Sequence, residues 1–444
     1  MTDLAGLAEV AISAASKLEA DDAIALAIDG KARIVRFANN SLTVANQTEE
    51  TELMVYLAKD RRTALAVTSN PVESDVRAFV ADLFSSLSGL PETNQAPLPA
   101  KGGKFRPASG SYDDRITKGV DDLPGLAKKA IDSSLSAGGR RSAGIISAST
   151  TSYSLLASNG TSGSDVRSEI TLNIRSFAEG DASGQGLSCS ASMSEFDPAE
   201  AGRRAGGDAQ KMVGASLPEA GDYEVLLSPT IAANLVGCVA DASSAFSVEA
   251  GQSYLTDKLG KKVAAESLSL TDHGRMKGAL GGRLFDDEGM PTSSTPVIER
   301  GKLNGYLHNL STAKRWKTDT TGNAGILSPH PWNIEIGAGD AEFDEMVKGM
   351  KKGILLTNNW YTRFTNYRTG DFSTVPRDGA FLVEGGRVTK PLKGMRLSDG
   401  LERMFSSVRL VSKRREWIEW WEVETPTLCP WMLIDGVKIT RAFE

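Results

Sequence analysis

Histidine and cysteine are scarce in this chain: three of each in 444 residues. His273, His308 and His330 stand 35 and 22 residues apart, so no two share the i, i+3 or i+4 spacing that sets paired imidazoles on one helix face. Cys189, Cys238 and Cys429 form no C-x-x-C pair, and an odd number at wide spacing is not a disulfide framework. A zinc site would have to be assembled from distant single residues. The cysteine usage fits a reducing compartment. No stretch approaches the roughly 18 uninterrupted apolar residues of a membrane span. The segment from Met1 to Leu18 lacks the basic start and apolar run of a signal peptide. A cytoplasmic protein with no membrane contact is therefore expected. No Gly-x-Ser-x-Gly elbow is present, and Gly278 to Gly282 lacks the lysine of a phosphate-binding loop. Serine and threonine are abundant, but none is singled out as a nucleophile. An excess of basic charge is also missing: Lys and Arg number 50 against 56 Asp and Glu, a net charge of -6. That argues against direct nucleic-acid binding. Lys413-Arg414-Arg415 is one small basic cluster, read as a solvated turn or strand end.

What is present is ordinary globular composition, with 40% hydrophobic and 24% charged residues. The length calls for two domains. Residues 1–18 read as an amphipathic helix. Short strands then follow over Ala23 to Ile28, Ala32 to Phe37, Ser41 to Ala45, Glu52 to Leu57 and Ala64 to Val67. Gly30, Asn39-Asn40 and Asp60 are read as the turns between them. Val72 to Leu87 is a helix, and Asn94 to Leu123 a long surface connection. Leu126 to Leu135 is a helix stopped by Gly138-Gly139. Strands follow over Ala143 to Thr150, Tyr153 to Ser158, Glu169 to Phe177 and Gly186 to Met193. Asp197-Pro198 then starts a helix reaching about Val213. A helix leads into strands twice in this region, compatible with an internal duplication. After Gly214 the texture changes. Tyr223 to Leu227 is a strand, and Ser228-Pro229 starts a buried helix over Thr230 to Ala240. From Val263 onward short strands alternate with turns, and only Ala341 to Met350 and Leu401 to Val408 look helical. The reading is an α+β protein, with an N-terminal αβ domain over 1–213 and a mainly antiparallel β-sheet domain over 214–444.

Two groups of residues could carry chemistry. Asp286-Asp287-Glu288 is the densest acidic cluster of the second domain. It lacks the spacing of an EF-hand, and reads either as a Ca²⁺ or Mg²⁺ ligand set or as a turn whose side chains cap backbone N–H groups. Trp417, Trp420, Trp421 and Trp431 interleave with Arg414, Arg415, Glu416, Glu419 and Glu422. Trp417 and Trp421 are placed on one face, as a peptide-gripping or subunit-facing surface or as core.

One order of motifs is specific. Asp286-Asp287-Glu288-Gly289-Met290-Pro291-Thr292 is followed by Val297-Ile298-Glu299-Arg300-Gly301-Lys302-Leu303-Asn304-Gly305-Tyr306-Leu307. Then come Thr312-Ala313-Lys314-Arg315, Thr321-Gly322-Asn323-Ala324, Gly353-Ile354-Leu355-Leu356, Arg368-Thr369-Gly370-Asp371 and Val383-Glu384-Gly385-Gly386. In that order the chain resembles the TldD/PmbA family, described as modulators of DNA gyrase and as peptidases. The likeness covers roughly residues 120–410. It implies a two-domain α+β protein in which a TldD-type chain pairs with a PmbA-type (TldE) chain around a chamber for unfolded peptides. The TldD-type chain carries zinc through His-Glu-x-x-x-His on a helix, with a later cysteine as third ligand. Aligned through Ser228-Pro229 and Gly237, the two histidine positions fall here on Ala233 and Cys238, and the glutamate position on Asn234. The third ligand is expected within Val411 to Thr425, which holds no cysteine; Cys429 comes later. The resemblance thus implies a PmbA/TldE-like chain with no catalytic residue and no metal of its own, and zinc in a TldD-like partner. Two alternatives stand beside it: a peptidase with chemistry relocated to His273, His308, His330 or the 286–288 acids, and a homodimeric peptide-binding scaffold.

Overall fold

The structure, a computed structural model, describes residues 3–99, 102–105, 112–118, 122–325 and 327–441. Part of the connection expected over 94–123 therefore lies outside the described residues. The fold is α+β, built on two sheets.

Helix α1 (Leu4–Lys17) leads into β1 (Asp22–Ala38), β2 (Ser41–Lys59) and β3 (Arg62–Ser69), and then α2 (Glu73–Ser86). After the short β4 (Lys104–Phe105) and α3 (Asp114–Lys118), the same order returns: α4 (Leu123–Ser136), β5 (Arg141–Ala157), β6 (Ser162–Phe177), β7 (Ser183–Ser190) and α5 (Pro198–Lys211). The seven strands form one sheet in the order β3-β2-β1-β5-β6, with β4 and β7 both on β6.

Strands β1, β2, β5 and β6 are all far longer than the sequence pattern suggests. Gly30 is not a turn: it sits in mid-strand, opposite Glu50 on one side and Thr151 on the other. Tyr153 to Ser158 likewise continues the preceding strand rather than starting a new one. The true turn is Asn39-Asn40, where both residues have positive φ (50° and 65°), the backbone of a two-residue hairpin loop. Asp60-Arg61 repeats the device.

Each face of β1 finds a cover. Ala23, Ala25 and Ala27 pack with Leu53, Val55 and Leu57 beneath α1 and α2. Val35, Ile146 and Leu172 pack beneath α4 and α5. On the opposite face Ile24, Leu26, Tyr56, Tyr153 and Leu155 enclose Phe285, which reaches over from the second half of the chain. Helices α4 and α5 meet closely at Gly202 and Gly206, where a Cβ would collide with the carbonyl oxygens of Ala130 and Ser134.

The second sheet has thirteen strands. Its elements run β8 (Gly221–Leu227), α6 (Pro229–Ala242), α7 (Ala245–Glu249), β9 (Leu270–His273), β10 (Ser294–Glu299), β11 (Lys302–Leu303) and α8 (Leu310–Trp316). They continue with β12 (Ile334–Ile336), α9 (Phe343–Lys348), β13 (Lys352–Leu356), β14 (Trp360–Asn366), β15 (Asp371–Val375), β16 (Ala380–Glu384) and β17 (Arg387–Pro391). The last are β18 (Met395–Gly400), α10 (Leu401–Ser406), β19 (Val408–Trp420) and β20 (Val423–Arg441). The path is β11-β10-β9-β12-β20-β8-β13-β16-β17, with β19 and β18 also on β20. Only β12–β20 and β8–β13 are parallel among its strand pairs in the described residues.

Helix α8 was not expected. Its signal is a capping box in which the Asn309 side chain accepts from the Thr312 N–H while Thr312 accepts from the Asn309 N–H. The tryptophan-rich segment is a hairpin of strands, β19 and β20. No helix among the described residues is long and apolar enough to cross a membrane.

A buried ion pair joins the two sheets. Asp378 is fully buried and accepts from Arg175 (2.7 Å from Nε), Ser183 Oγ, Asn358 Nδ2 and Trp360 Nε1, the last two at 3.0 Å. Arg175 and Ser183 belong to the first sheet; Asn358 and Trp360 flank the start of β14.

Candidate functional site

Helix α6 is the element on which the family resemblance places a metal. Ser228 caps it and Pro229 opens it, a pairing suited to a first turn that has no use for an N–H. Ile231, Ala232, Ala233, Leu235, Val236, Val239 and Ala240 are all buried, so the helix is a core beam rather than a surface element.

Asn234 is the polar exception on that beam. Its Nδ2 donates to the carbonyl of Glu422 at 2.5 Å, and its Oδ1 accepts from Asn359 Nδ2 (2.7 Å) and Thr362 Oγ1 (2.6 Å). The amide thereby ties α6 to β14 and to the turn between β19 and β20. Cys238 is half-buried, and burial pushes its thiol up to about 12, with Asp241 and Glu422 adding to the effect. Burial also raises Asp241, to about 6.

These side chains do not fit a zinc ion. Ala233 has no donor atom, the Asn234 amide is committed to three hydrogen bonds, and the Cys238 thiol stays protonated at neutral pH. A zinc ligand must be a thiolate, neutral imidazole or carboxylate. Among the described residues no group of three or more His, Cys, Asp or Glu side chains is arranged to hold a metal ion. Cys429 is fully buried in β20, opposite Glu416.

The remaining sequence candidates have separate partners. His273 bridges Ser294 Oγ (2.8 Å) and Glu335 (2.6 Å), which also pairs with Arg415. His308 contacts Thr312 Oγ1, and burial lowers it to about 4. His330 is also lowered by burial and packs edge-on against Trp332.

The 286–288 acids form a turn, but a buried one. Asp286 accepts from the N–H groups of Glu288, Met290 and Ala324, and Glu288 from that of Leu310. Asp287 pairs with the buried Arg283. Burial raises Asp286 to about 7 and Glu288 to about 8, the neighbouring acids adding to the effect on Glu288. The folded state therefore holds protons that the unfolded chain, with glutamate near 4.5, gives up. Stability should fall as pH rises from about 5 to 9, by on the order of 1 kcal/mol per pH unit. Glu288→Gln keeps the carbonyl that accepts from Leu310 and should flatten the upper part of that slope. Urea midpoints measured from pH 6 to 9 check this, and an unchanged slope in the variant would contradict it.

The tryptophans do not form one surface. Trp417 and Trp431 line a cleft of about 830 Å³ between α5 and the second sheet, together with Phe343 and Phe381. Arg203, Arg204 and Lys211 of α5 and the α6 residues Pro229 and Thr230 also border it. Arg204 crosses toward β19 and pairs with Glu416 at 2.5 and 2.9 Å. Trp420 and Trp421 lie instead at the β19–β20 turn, beside Trp360 and Tyr361 of β14, with ring centroids 5.0–6.0 Å apart. The sequence pattern missed this because β19 ends at Trp420, so the alternation of a strand no longer carries to Trp421.

Comparison with known proteins agrees with this architecture. A crystal structure of a Thermotoga maritima protein assigned as a modulator of DNA gyrase superposes with a TM-score of 0.87, over 98% of this chain and 99% of that one, at 22% identity. That of TldE from Thermococcus kodakarensis gives 0.84 over 98% and 100%, at 18% identity. At such identities the likeness establishes the fold. Family models for the PmbA/TldA metallopeptidase central and C-terminal domains match residues 113–213 and 220–441, and the chain belongs to this PmbA/TldD family. A metalloprotease of Methanocaldococcus jannaschii is 34% identical over 203 residues, 44% of each chain. Metalloprotease PmbA of Escherichia coli O157:H7 is 29% identical over 185 residues, 41% of this chain and 39% of that one. These matches span less than half the length of either relative.

Proposed function

We propose that this chain is the non-catalytic, PmbA/TldE-like subunit of a cytoplasmic TldD-type zinc peptidase, where it shapes a chamber for unfolded peptides. The observation that carries the reading is Asn234. It stands where the resemblance places the catalytic glutamate, and an amide cannot serve as general base. Its hydrogen bonds make it a brace between α6, β14 and the β19–β20 turn. The adjacent positions, Ala233 and Cys238, point the same way. Likeness in fold to a TldE over nearly the whole chain adds support.

In this reading the zinc, bound by the partner, supplies the activated water. This chain contributes walls and contacts. The aromatic-lined cleft beside α5 offers apolar surface for side chains, bordered by charged groups of both signs.

The test is reconstitution. The purified chain alone should hold well under one zinc per molecule and hydrolyse no unfolded peptide. Mixed with a TldD-type chain carrying His-Glu-x-x-x-His, it should form a stable complex with peptidase activity. Stoichiometric zinc that supports hydrolysis by the isolated chain would overturn the reading, and so would failure of the two chains to associate.

A further inference from the structure

The surface over α6 sets exposed aromatic rings beside two exposed arginines that form no ion pair among the described residues. Tyr361 is 50% exposed and Trp421 47%. Their rings stand 6.0 Å apart, and each neighbours Trp360. The Arg363 guanidinium lies 5.9 Å from the Tyr361 ring centroid, and that of Arg377 lies 4.7 Å from Trp360. Both arginines are exposed. Among the described residues Arg363 donates to the backbone carbonyl of Thr362.

Some arginines elsewhere are taken up by carboxylates, as Arg175 is by Asp378, Arg204 by Glu416, Arg315 by Glu249 and Arg415 by Glu335, while others, such as Arg62 and Arg368, donate to backbone carbonyls far along the chain. Among the described residues neither Arg363 nor Arg377 forms an ion pair. Two acids touch the patch and are already engaged: Glu422 Oε1 accepts from the Tyr361 N–H at 2.6 Å, and Asp378, next to Arg377 in the chain, accepts from Trp360 Nε1 and pairs with Arg175.

The backbone is also held in an uncommon state here. Tyr361 has φ of 58°, rare for a bulky side chain. Its N–H donates to Glu422, and its ring stands exposed beside Trp421. Strain of this kind needs a surrounding structure that enforces it, and it gathers at sites that present a side chain.

From these features we infer that the Tyr361–Trp421–Arg363–Arg377 surface binds acidic segments of unfolded peptides. The rings cover the apolar parts of an extended chain, and the two free guanidiniums receive its carboxylates. Guanidinium–carboxylate contacts are planar and two-pronged, and they strengthen beside low-dielectric aromatic faces. An acidic peptide fits better than single-stranded nucleic acid. Among the described residues the patch offers only the two guanidiniums of Arg363 and Arg377 without an ion pair, too few for a phosphate backbone, and the chain as a whole is acidic. The inference deepens the peptide-chamber reading by naming which peptides this subunit retains.

The experiment uses the full chain and fluorescence anisotropy. The probes are a labelled unstructured peptide rich in Asp and Glu, the same peptide with Asn and Gln in their place, and a labelled oligo-dT. The acidic peptide should bind about tenfold more tightly than its neutral twin, and the difference should shrink as salt rises. The Arg363→Gln/Arg377→Gln variant should bind the two peptides with nearly equal affinity. The Arg→Lys pair should restore part of the preference. Because Arg377 also stacks on Trp360, Arg363→Gln alone provides a second reading should the double variant fold poorly. Equal binding of the two peptides, binding of neither, or tighter binding of oligo-dT would each overturn the inference. If no zinc-peptidase partner associates yet the acidic peptide binds, the surface stands and only the pairing falls.

Discussion

Replacing Asp378 with alanine should cost about 3–5 kcal/mol, the range for removing one partner of a buried ion pair. The carboxylate has no solvent to replace it, since Asp378 is fully buried. Arg175, Ser183, Asn358 and Trp360 all donate to it, and its own N–H donates to Asn358 at 2.8 Å. Removing it leaves the Arg175 guanidinium without its counter-charge and Ser183 Oγ and Trp360 Nε1 without this acceptor, while Asn358 Nδ2 keeps only Gln185. The damage falls between the sheets, because Arg175 and Ser183 come from the first and the other two from the second. Asp378→Asn should be milder, as its carbonyl still accepts, but Arg175 would still lack its counter-charge. Denaturant titration of the two variants checks the order. The double variant Arg175→Met/Asp378→Ala should lose less than the sum of its parts, the signature of a coupled pair. Strict additivity would mean that the pair does not act as a unit.

Neighbouring glycines of α5 should respond in opposite directions. Gly206 lies where α5 crosses α4, and any Cβ there runs into the carbonyl oxygen of Ser134. Backbone cannot step aside as a side chain would. Gly206→Val should therefore cost about 3 kcal/mol, the upper end for overpacking, or leave the protein insoluble. Gly207 is the next residue, and a Cβ there meets nothing within 4 Å. Gly207→Ala should stabilise by roughly 0.5–1 kcal/mol, because alanine loses less freedom on entering a helix. The same melting experiment reads both variants. A Gly206→Val loss below about 1 kcal/mol would show that the crossing is looser than it stands here, and a loss in Gly207→Ala would show that this position is not open.

Much of the fold was legible in the sequence because its signals are local. Ser228-Pro229 and Asp197-Pro198 mark helix starts through cap chemistry that involves only adjacent residues, and α5 and α6 begin there. Strand continuity was less legible. Gly30 has the composition of a turn, but pairing on both edges decides its conformation, and its partners lie 20 and 121 residues away. The expectation that Ala233, Asn234 and Cys238 replace a zinc motif comes from aligning α6 alone. The hydrogen bonds that occupy Asn234 could not be read there, because they come from residues 359, 362 and 422. The aromatic–arginine surface was equally hidden. Its members sit at 360–363, 377 and 421, and only the β19–β20 turn brings them together.

Strand β20 has a consequence for how the molecule is made. It pairs with β8, β12, β18 and β19, so the second sheet is organised around residues 423–441. Leu226 and Leu227 of β8 lie against Leu433 and Met432, some 200 positions further along the chain. During synthesis the first sheet can close while ribosomes are still adding the second half. The edge of β8 stays bare until the final partner emerges. Contacts at this separation form slowly, and an open apolar edge invites wrong neighbours in the interval. For this polypeptide the hazardous period is that wait, and a chaperone that shields β8 would act where protection matters most.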